Sequence, residues 1–269
     1  MKFQLKALVA ALALVAAVPA SAAIDAAASG NGSLILTVYD ITPSAGTSVS
    51  AAFDLGKNYL DFNQVASAGA VSNVTNPGTT FSWDLAGNAD YATTWANFLA
   101  TSTSDANIRY AITAGDLNPV VALGQTGYIS TYRSNGAALT TSGLTTAVGN
   151  FDTYTANLST LAGSNTNTVA NGSALQIPGT GFYTAGRNNA TGPVVAGVLG
   201  TNLGVVQVVS SGSSFSNATQ TIFGNGAYFN LSSTGALVYA VAAVPEADSW
   251  AMMMLGLGFM GFVARRKQA

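Results

Sequence analysis

Residues 33–40, Ser-Leu-Ile-Leu-Thr-Val-Tyr-Asp, are apolar and β-branched almost throughout and read as a strand. Residues 47–56 come closely enough behind to pair with it as a hairpin, and 79–88 form a third candidate. The second and third runs end alike, in Phe53-Asp54-Leu55 and Trp83-Asp84-Leu85, each followed by Gly and Asn, which is strand-end turn chemistry. The period then changes. Tyr91, Trp95, Phe98 and Leu99 recur at helical spacing behind Asp90, which predicts a helix over 89–102 with Asp90 as its cap and an aromatic face turned inward. Residues 107–116 return to strand. Phe151, Tyr154, Leu158 and Leu161 predict a second, shorter helix over 149–163, ended by Gly163.

From 165 to 192 the chain is rich in Asn, Gly, Ser and Thr and reads as loop around the short run 174–177. Apolar or alternating runs occupy 193–200, 203–211, 220–232 and 236–244, punctuated by glycine. Asn225-Gly226 lies between Phe223 and Tyr228 and signals a hairpin turn. Many short antiparallel strands with one or two short helices predict a mainly β fold, an antiparallel β-sandwich-like ectodomain.

The two ends have a different pattern. Lys2 and Lys6 precede an apolar run over 7–18, and Pro19 and the small residues Ala20, Ser21 and Ala22 come next. Charge, short apolar core and A-x-A site in that order form a signal peptide over 1–23, cut after Ala22 or Ala23. Sec translocon and signal peptidase are the partners it implies. At the other end, 249–264 carries no charge and as a helix is about 24 Å long, just enough to span a bilayer core. Arg265, Arg266 and Lys267 stand behind it and hold that end in the cytoplasm by the positive-inside rule. Hydropathy and charge alone favour an ordinary stop-transfer anchor.

Val244-Pro245-Glu246 stands directly before that segment, and Glu246 is the only glutamate in the chain. Pro245 fixes its own φ and pushes Val244 towards an extended conformation, so the approach to the membrane is an accessible strand. A Pro-Glu motif, an apolar helix and a basic cluster in this order, over 244–269, resemble the PEP-CTERM sorting signal of Gram-negative bacteria. One position departs: Ala247 stands where that family has a second proline. The resemblance implies recognition and removal of the tail by exosortase, an integral-membrane cysteine protease. It also implies a transient anchor in the inner membrane and a final place at the cell surface or outside the cell.

Composition narrows what 24–243 can do. The chain has neither Cys nor His, so there is no disulfide, no thiol nucleophile, no Ser-His-Asp triad and no ordinary zinc site. Lys57, Arg109, Arg133 and Arg187 are the only basic side chains between the two signals, which leaves no electrostatic footprint for nucleic acid. Asp84, Asp90, Asp105 and Asp116 show no spacing that selects a pair of catalytic carboxylates. Ca²⁺ is the one cofactor candidate, at Asp84, Asn88 and Asp90; these residues fit no known calcium loop and read first as a turn and a helix cap.

A nearly uncharged surface rich in hydroxyl and amide groups suits neutral polymers or like molecules. Tyr128, Tyr132 and Arg133, beside a Gly-rich break, are the candidate glycan contacts, whereas Trp83 and Trp95 fit the core. The expected class is a non-enzymatic surface or matrix protein associated, as the sorting family implies, with exopolysaccharide or biofilm. A carbohydrate-binding adhesin module and a secreted hydrolase are the alternatives. A reporter enzyme fused after Ala269 is expected to be active only if it works in the cytoplasm, and one inserted near Gly172 only if it works outside. An external signal from the fusion after Ala269 would overturn the anchor and the sorting readings together.

Overall fold

The computed structural model describes residues 24–42, 49–117, 122–132, 140–160, 172–176, 196–243, and 254, 255 and 257. The expected signal peptide over 1–23, most of the segment 249–264, Leu161, and most of the loop over 165–192 lie outside the described residues. Among those described, the strands are β1 Ser33–Asp40, β2 Ser50–Asn58, β3 Thr80–Asp84, β4 Ile108–Asp116, β5 Leu123–Tyr132 and β6 Ser173–Gln176. They continue with β7 Gly197–Val198, β8 Leu203–Ser211, β9 Thr219–Ile222, β10 Tyr228–Leu231 and β11 Ala236–Ala240. Among the described residues of the sheet domain the α-helices are α1 Ala92–Thr101 and α2 Thr141–Thr160.

All eleven strands belong to one sheet, ordered β3-β11-β10-β8-β5-β4-β1-β2-β6, with β7 added on β4 and β9 on β8. The mainly β expectation holds, but the sandwich is replaced by a single sheet curled on itself. The curl shows in the core. Leu36 of β1, Phe53 of β2, Trp83 of β3, Tyr110 of β4, Ile129 of β5, Val205 of β8, Phe229 of β10 and Tyr239 of β11 all lie in one buried cluster. A flat sheet cannot bring strands from both of its ends to one core.

The two ends meet through side chains. Trp83 Nε1 donates to the Leu55 carbonyl at 2.7 Å, the Tyr91 hydroxyl donates to the Asp54 carbonyl, and Lys57 Nζ lies 5.2 Å from the centre of the Phe81 ring. Helix α1 covers the same seam, with Trp95 and Tyr91 set edge-on to Phe53 at 6.3 and 5.7 Å. Each such aromatic removes 150–250 Å² from water, roughly 4–6 kcal/mol before the entropy of ordering it.

The convex face is covered by α2. Leu144, Val148, Phe151, Tyr154 and Leu158, at helical spacing, pack on Ile35, Ala52, Ala111, Tyr128, Ala174, Val206 and Val208. Small residues in the strands let the helix approach: a Cβ on Gly115 would meet Phe151 Cδ1 at 2.9 Å. Covered on both sides, β1 is buried at every position.

One mouth of the curl is plugged by the chain after β2. Phe62, in the 3-10 turn Tyr59–Phe62, sits within 5.2–6.4 Å of the rings of Tyr239, Phe229, Phe81 and Phe223. Beside it Gln207 Nε2 donates to Tyr59 Oη at 2.6 Å and to Asn63 Oδ1 at 2.7 Å, and Gln64 N–H donates to Gln207 Oε1 at 2.6 Å. Gln207, Tyr59 and Asn63 have no exposed surface, so each polar atom in this plug needs its partner.

Several local expectations are corrected. Asp90 does not cap α1; Tyr91 occupies the cap position and no side chain bonds there. The second helix is the longer one, 20 residues against 10, and starts at Thr141, nearly three turns before Phe151, anchored where Thr141 N–H reaches the Ser216 carbonyl. Asn225-Gly226 does form a tight turn, with φ 56° and 65° and Ala227 N–H on the Gly224 carbonyl at 3.2 Å. It joins no hairpin, because β9 and β10 both pair with β8, across Val206↔Ile222 and Gly204↔Tyr228. The turn is an excursion from one continuous edge: Phe223 N–H still bonds Val205 O at 2.9 Å before it, and Tyr228 rejoins the edge opposite Gly204 after it.

Replacing Trp83 by Phe removes the seam hydrogen bond while keeping an aromatic ring. A loss of about 1–3 kcal/mol is expected, read as a lower denaturant midpoint with an unchanged slope. An unchanged midpoint would mean that the seam is held by packing alone.

Candidate functional site

Strand β11 carries the chain towards the tail, and residues 241 and 242 beyond it are still tied to the fold. Val241 N–H donates to the Thr79 carbonyl at 2.9 Å, Gly78 N–H to the Val241 carbonyl at 3.3 Å, and Ala242 N–H to the Asn225 carbonyl at 3.2 Å. The acceptors are held in turn: Asn225 Nδ2 donates to Thr75 O at 3.0 Å, and the Tyr239 hydroxyl to Val74 O at 2.9 Å. The Asn-Gly excursion therefore has a structural role that its hairpin reading missed: it clasps the chain just before the tail.

Val244, Pro245 and Glu246 lie outside the described residues, as do Arg265, Arg266 and Lys267. Of the apolar segment, Met254, Leu255 and Leu257 are described; they are helical and exposed. Among the described residues no helix is long and apolar enough to cross a membrane.

Residues 243–267 match the family model described as the PEP-CTERM protein-sorting motif. The tail is a sorting signal of that kind, which implies export, transit on the membrane and processing by exosortase. The match includes Val244, Pro245, Glu246, Arg265, Arg266 and Lys267, and its first residue directly succeeds the clasped Ala242. No curated protein and no solved structure matches the chain.

The candidate glycan contacts are corrected at their first member. Tyr128 lies in the middle of β5 with no exposed surface, edge-on to Phe151 at 5.9 Å under α2, and burial pushes its hydroxyl well above the usual tyrosine range. Tyr132 is half-buried against the same helix-side cluster, and Arg133 lies outside the described residues. The Gly-rich composition around Gly124 and Gly127 disguised a central strand. Those glycines are required by close approach: a Cβ on Gly124 would collide with the Ser67 carbonyl, and one on Gly127 with the Tyr59 hydroxyl. Trp83 and Trp95 are buried.

The calcium candidate has other work. Asp84 Oδ1 accepts from Ala86 N–H at 3.1 Å and Gly87 N–H at 2.9 Å, and Asn88 Oδ1 accepts from Asp90 N–H at 2.8 Å. These bonds make a strand-end turn. Among the described residues no group of three acidic, His or Cys side chains could hold a metal ion.

Other aspartates serve the backbone in the same way. Burial works to raise Asp40, but hydrogen bonds from Thr103 and Thr42 outweigh it and hold the carboxyl below its usual range. Asp54 accepts from Gly56 N–H and the Ser33 hydroxyl, both at 2.8 Å, yet its burial within β2, beside β1, pushes it up to about 6. Burial pushes Asp116 up to about 6 as well.

A carboxyl whose folded pKa lies above its unfolded value holds extra protons in the fold, so its stabilising effect is lost as pH rises through the folded value. Stability is therefore expected to fall between about pH 4 and pH 6–7 as Asp54 and Asp116 ionise, while Asp40 acts in the opposite sense below pH 4. Asp54→Asn should raise stability at pH 7 by about 1–2 kcal/mol and flatten that decline. Thermal unfolding across this range checks it; a variant that parallels the parent at every pH would refute it.

Proposed function

We propose that the chain is an exported, non-enzymatic surface or matrix protein of a Gram-negative cell, delivered by a signal peptide over 1–23 and handed to exosortase by 244–269. The released body is 24–243, and its final association is with exopolysaccharide. The observation that carries the sorting part is the motif match beginning at residue 243, immediately beyond the clasped Ala242. A protease acting at Pro245-Glu246 would thus release a complete fold and leave almost no linker on it.

The matrix role rests on the chemistry of the body. Its surface has few charges and is rich in Ser, Thr, Asn and Gly, which favours hydrogen bonding to neutral sugars or to like molecules. Its best-placed carboxylates are spent on backbone turns, as at Asp84 and Asp40, or buried within a strand, as at Asp54. These are the uses expected of acids in a structural domain.

In normally grown cells the secreted form is expected to end near Pro245-Glu246. Removing the host's exosortase should leave a longer, membrane-retained form. Intact-mass measurement decides: a mature protein that keeps Arg265 and Arg266 would sink the sorting reading. Co-sedimentation with the exopolysaccharide fraction tests the matrix reading separately, and its loss from that fraction at mild salt would count against it.

A further inference from the structure

Strand direction gives the sheet two unlike ends. At one end β11 leaves for the tail, β2, β4 and β8 end, β3, β5 and β9 begin, and β1 starts at Ser33, whose N–H bonds the Asp25 carbonyl at 3.0 Å. At the far end lie the β1 to β2 and β10 to β11 connections. The first described residue, Ile24, and the last one before the tail, Ala243, thus belong to the same end.

Exposed large apolar side chains are distributed just as unevenly. Leu60 (39% exposed), Val71 (53%), Leu123 (57%), Phe215 (96%) and Ile222 (55%) belong to the tail-side end or to the edge next to the clasp. Leu60 and Val71 are on the plug, and Leu123 opens β5 opposite Ser211. Phe215 is on the β8 to β9 turn, and Ile222 precedes the Asn225 excursion. Among the described residues of the sheet domain, Ile41 alone is a comparable side chain at the far end.

Single exposed apolar residues are ordinary, but a one-sided set around the exit of an apolar tail is not. The tether is also short. From Ala243 to residue 249, where the uncharged segment begins, is six residue steps, at most about 20 Å when fully extended.

We infer that the tail-side end of the sheet is a membrane-contacting surface, with Leu60, Val71, Leu123, Phe215 and Ile222 resting in the interfacial layer of the bilayer while the tail is inserted. This rests on the tail entering the membrane as the sorting reading has it. The contact is apolar rather than electrostatic, because Asp25 and Asp61 are exposed at the same end and Lys57 is turned onto Phe81. A depth of about 5–10 Å is typical of such interfacial contacts and is shallow enough for five side chains on loops and strand ends to reach.

The chain has no cysteine, so each introduced one is a unique label site. Full chain is placed in phosphatidylcholine nanodiscs, with a fluorophore on Val71→Cys, Leu123→Cys or Phe215→Cys, and on Ile41→Cys or Thr234→Cys as far-end controls. All five positions are exposed, so the labels do not disturb the core. Nitroxide-bearing lipid is expected to cause loss of fluorescence at 71, 123 and 215 but not at 41 and 234. Chains held in the disc with all five labels equally bright would overturn this inference and leave the sorting reading intact. Chains that never enter the disc would overturn both. Quenching that appears only with exosortase in the same disc would assign the surface to the protease and overturn the lipid assignment.

Discussion

The seam where the two ends of the sheet meet governs the rest of the structure. No backbone ladder joins β3 to β2; the indole of Trp83 and the hydroxyl of Tyr91 reach the Leu55 and Asp54 carbonyls instead. Because those bonds come from aromatic side chains, closing the seam and filling the core are one event. Phe53 and Trp95 pack against the seam from inside, and Phe62, Phe229 and Tyr239 continue the aromatic core to the plugged mouth. Opening the seam would expose two edge strands and this aromatic core together.

A chain without disulfides and with few ion-forming groups must satisfy its buried polar atoms by hydrogen bonds, and this one does so with side-chain amides, phenols and backbone N–H groups. Gln207, Tyr59, Asn63 and Gln64 form a closed amide and phenol network inside the curl. The aspartates accept from backbone N–H groups at strand ends, at Gly87, Gly56 and Thr103. The burial of Asp54 sets a cost that grows as it ionises.

The same frame positions the tail. Backbone bonds at Val241 and Ala242 extend the fold to the first residue of the sorting motif, so fold and signal share a boundary rather than a linker. The Asn225 excursion, the 73–79 segment and β11 converge there, and each is buttressed by the aromatic plug behind it. The sorting motif thus begins where the folded sheet ends.

Much of this was legible in the sequence where the signal is local. The β1–β2 hairpin, the aromatic face of α1, the stripe Phe151, Tyr154 and Leu158, and the burial of Trp83 and Trp95 are set by period and residue type, because each element answers to neighbours a few positions away. The motif at the tail was equally plain, since its parts are contiguous. Tyr128, β5, the curl and the path after Asn225 were not legible. Gly124 and Gly127 read as a break until Ser67 and Tyr59 arrive from another part of the chain and leave no room for a Cβ. Asn225-Gly226 has the backbone conformation that its residues favour, yet β8 decides that the chain returns to the same edge. Local chemistry selects a turn or a strand; which strands become neighbours is decided by burial summed over residues tens of positions apart and more, and only the folded chain carries out that sum.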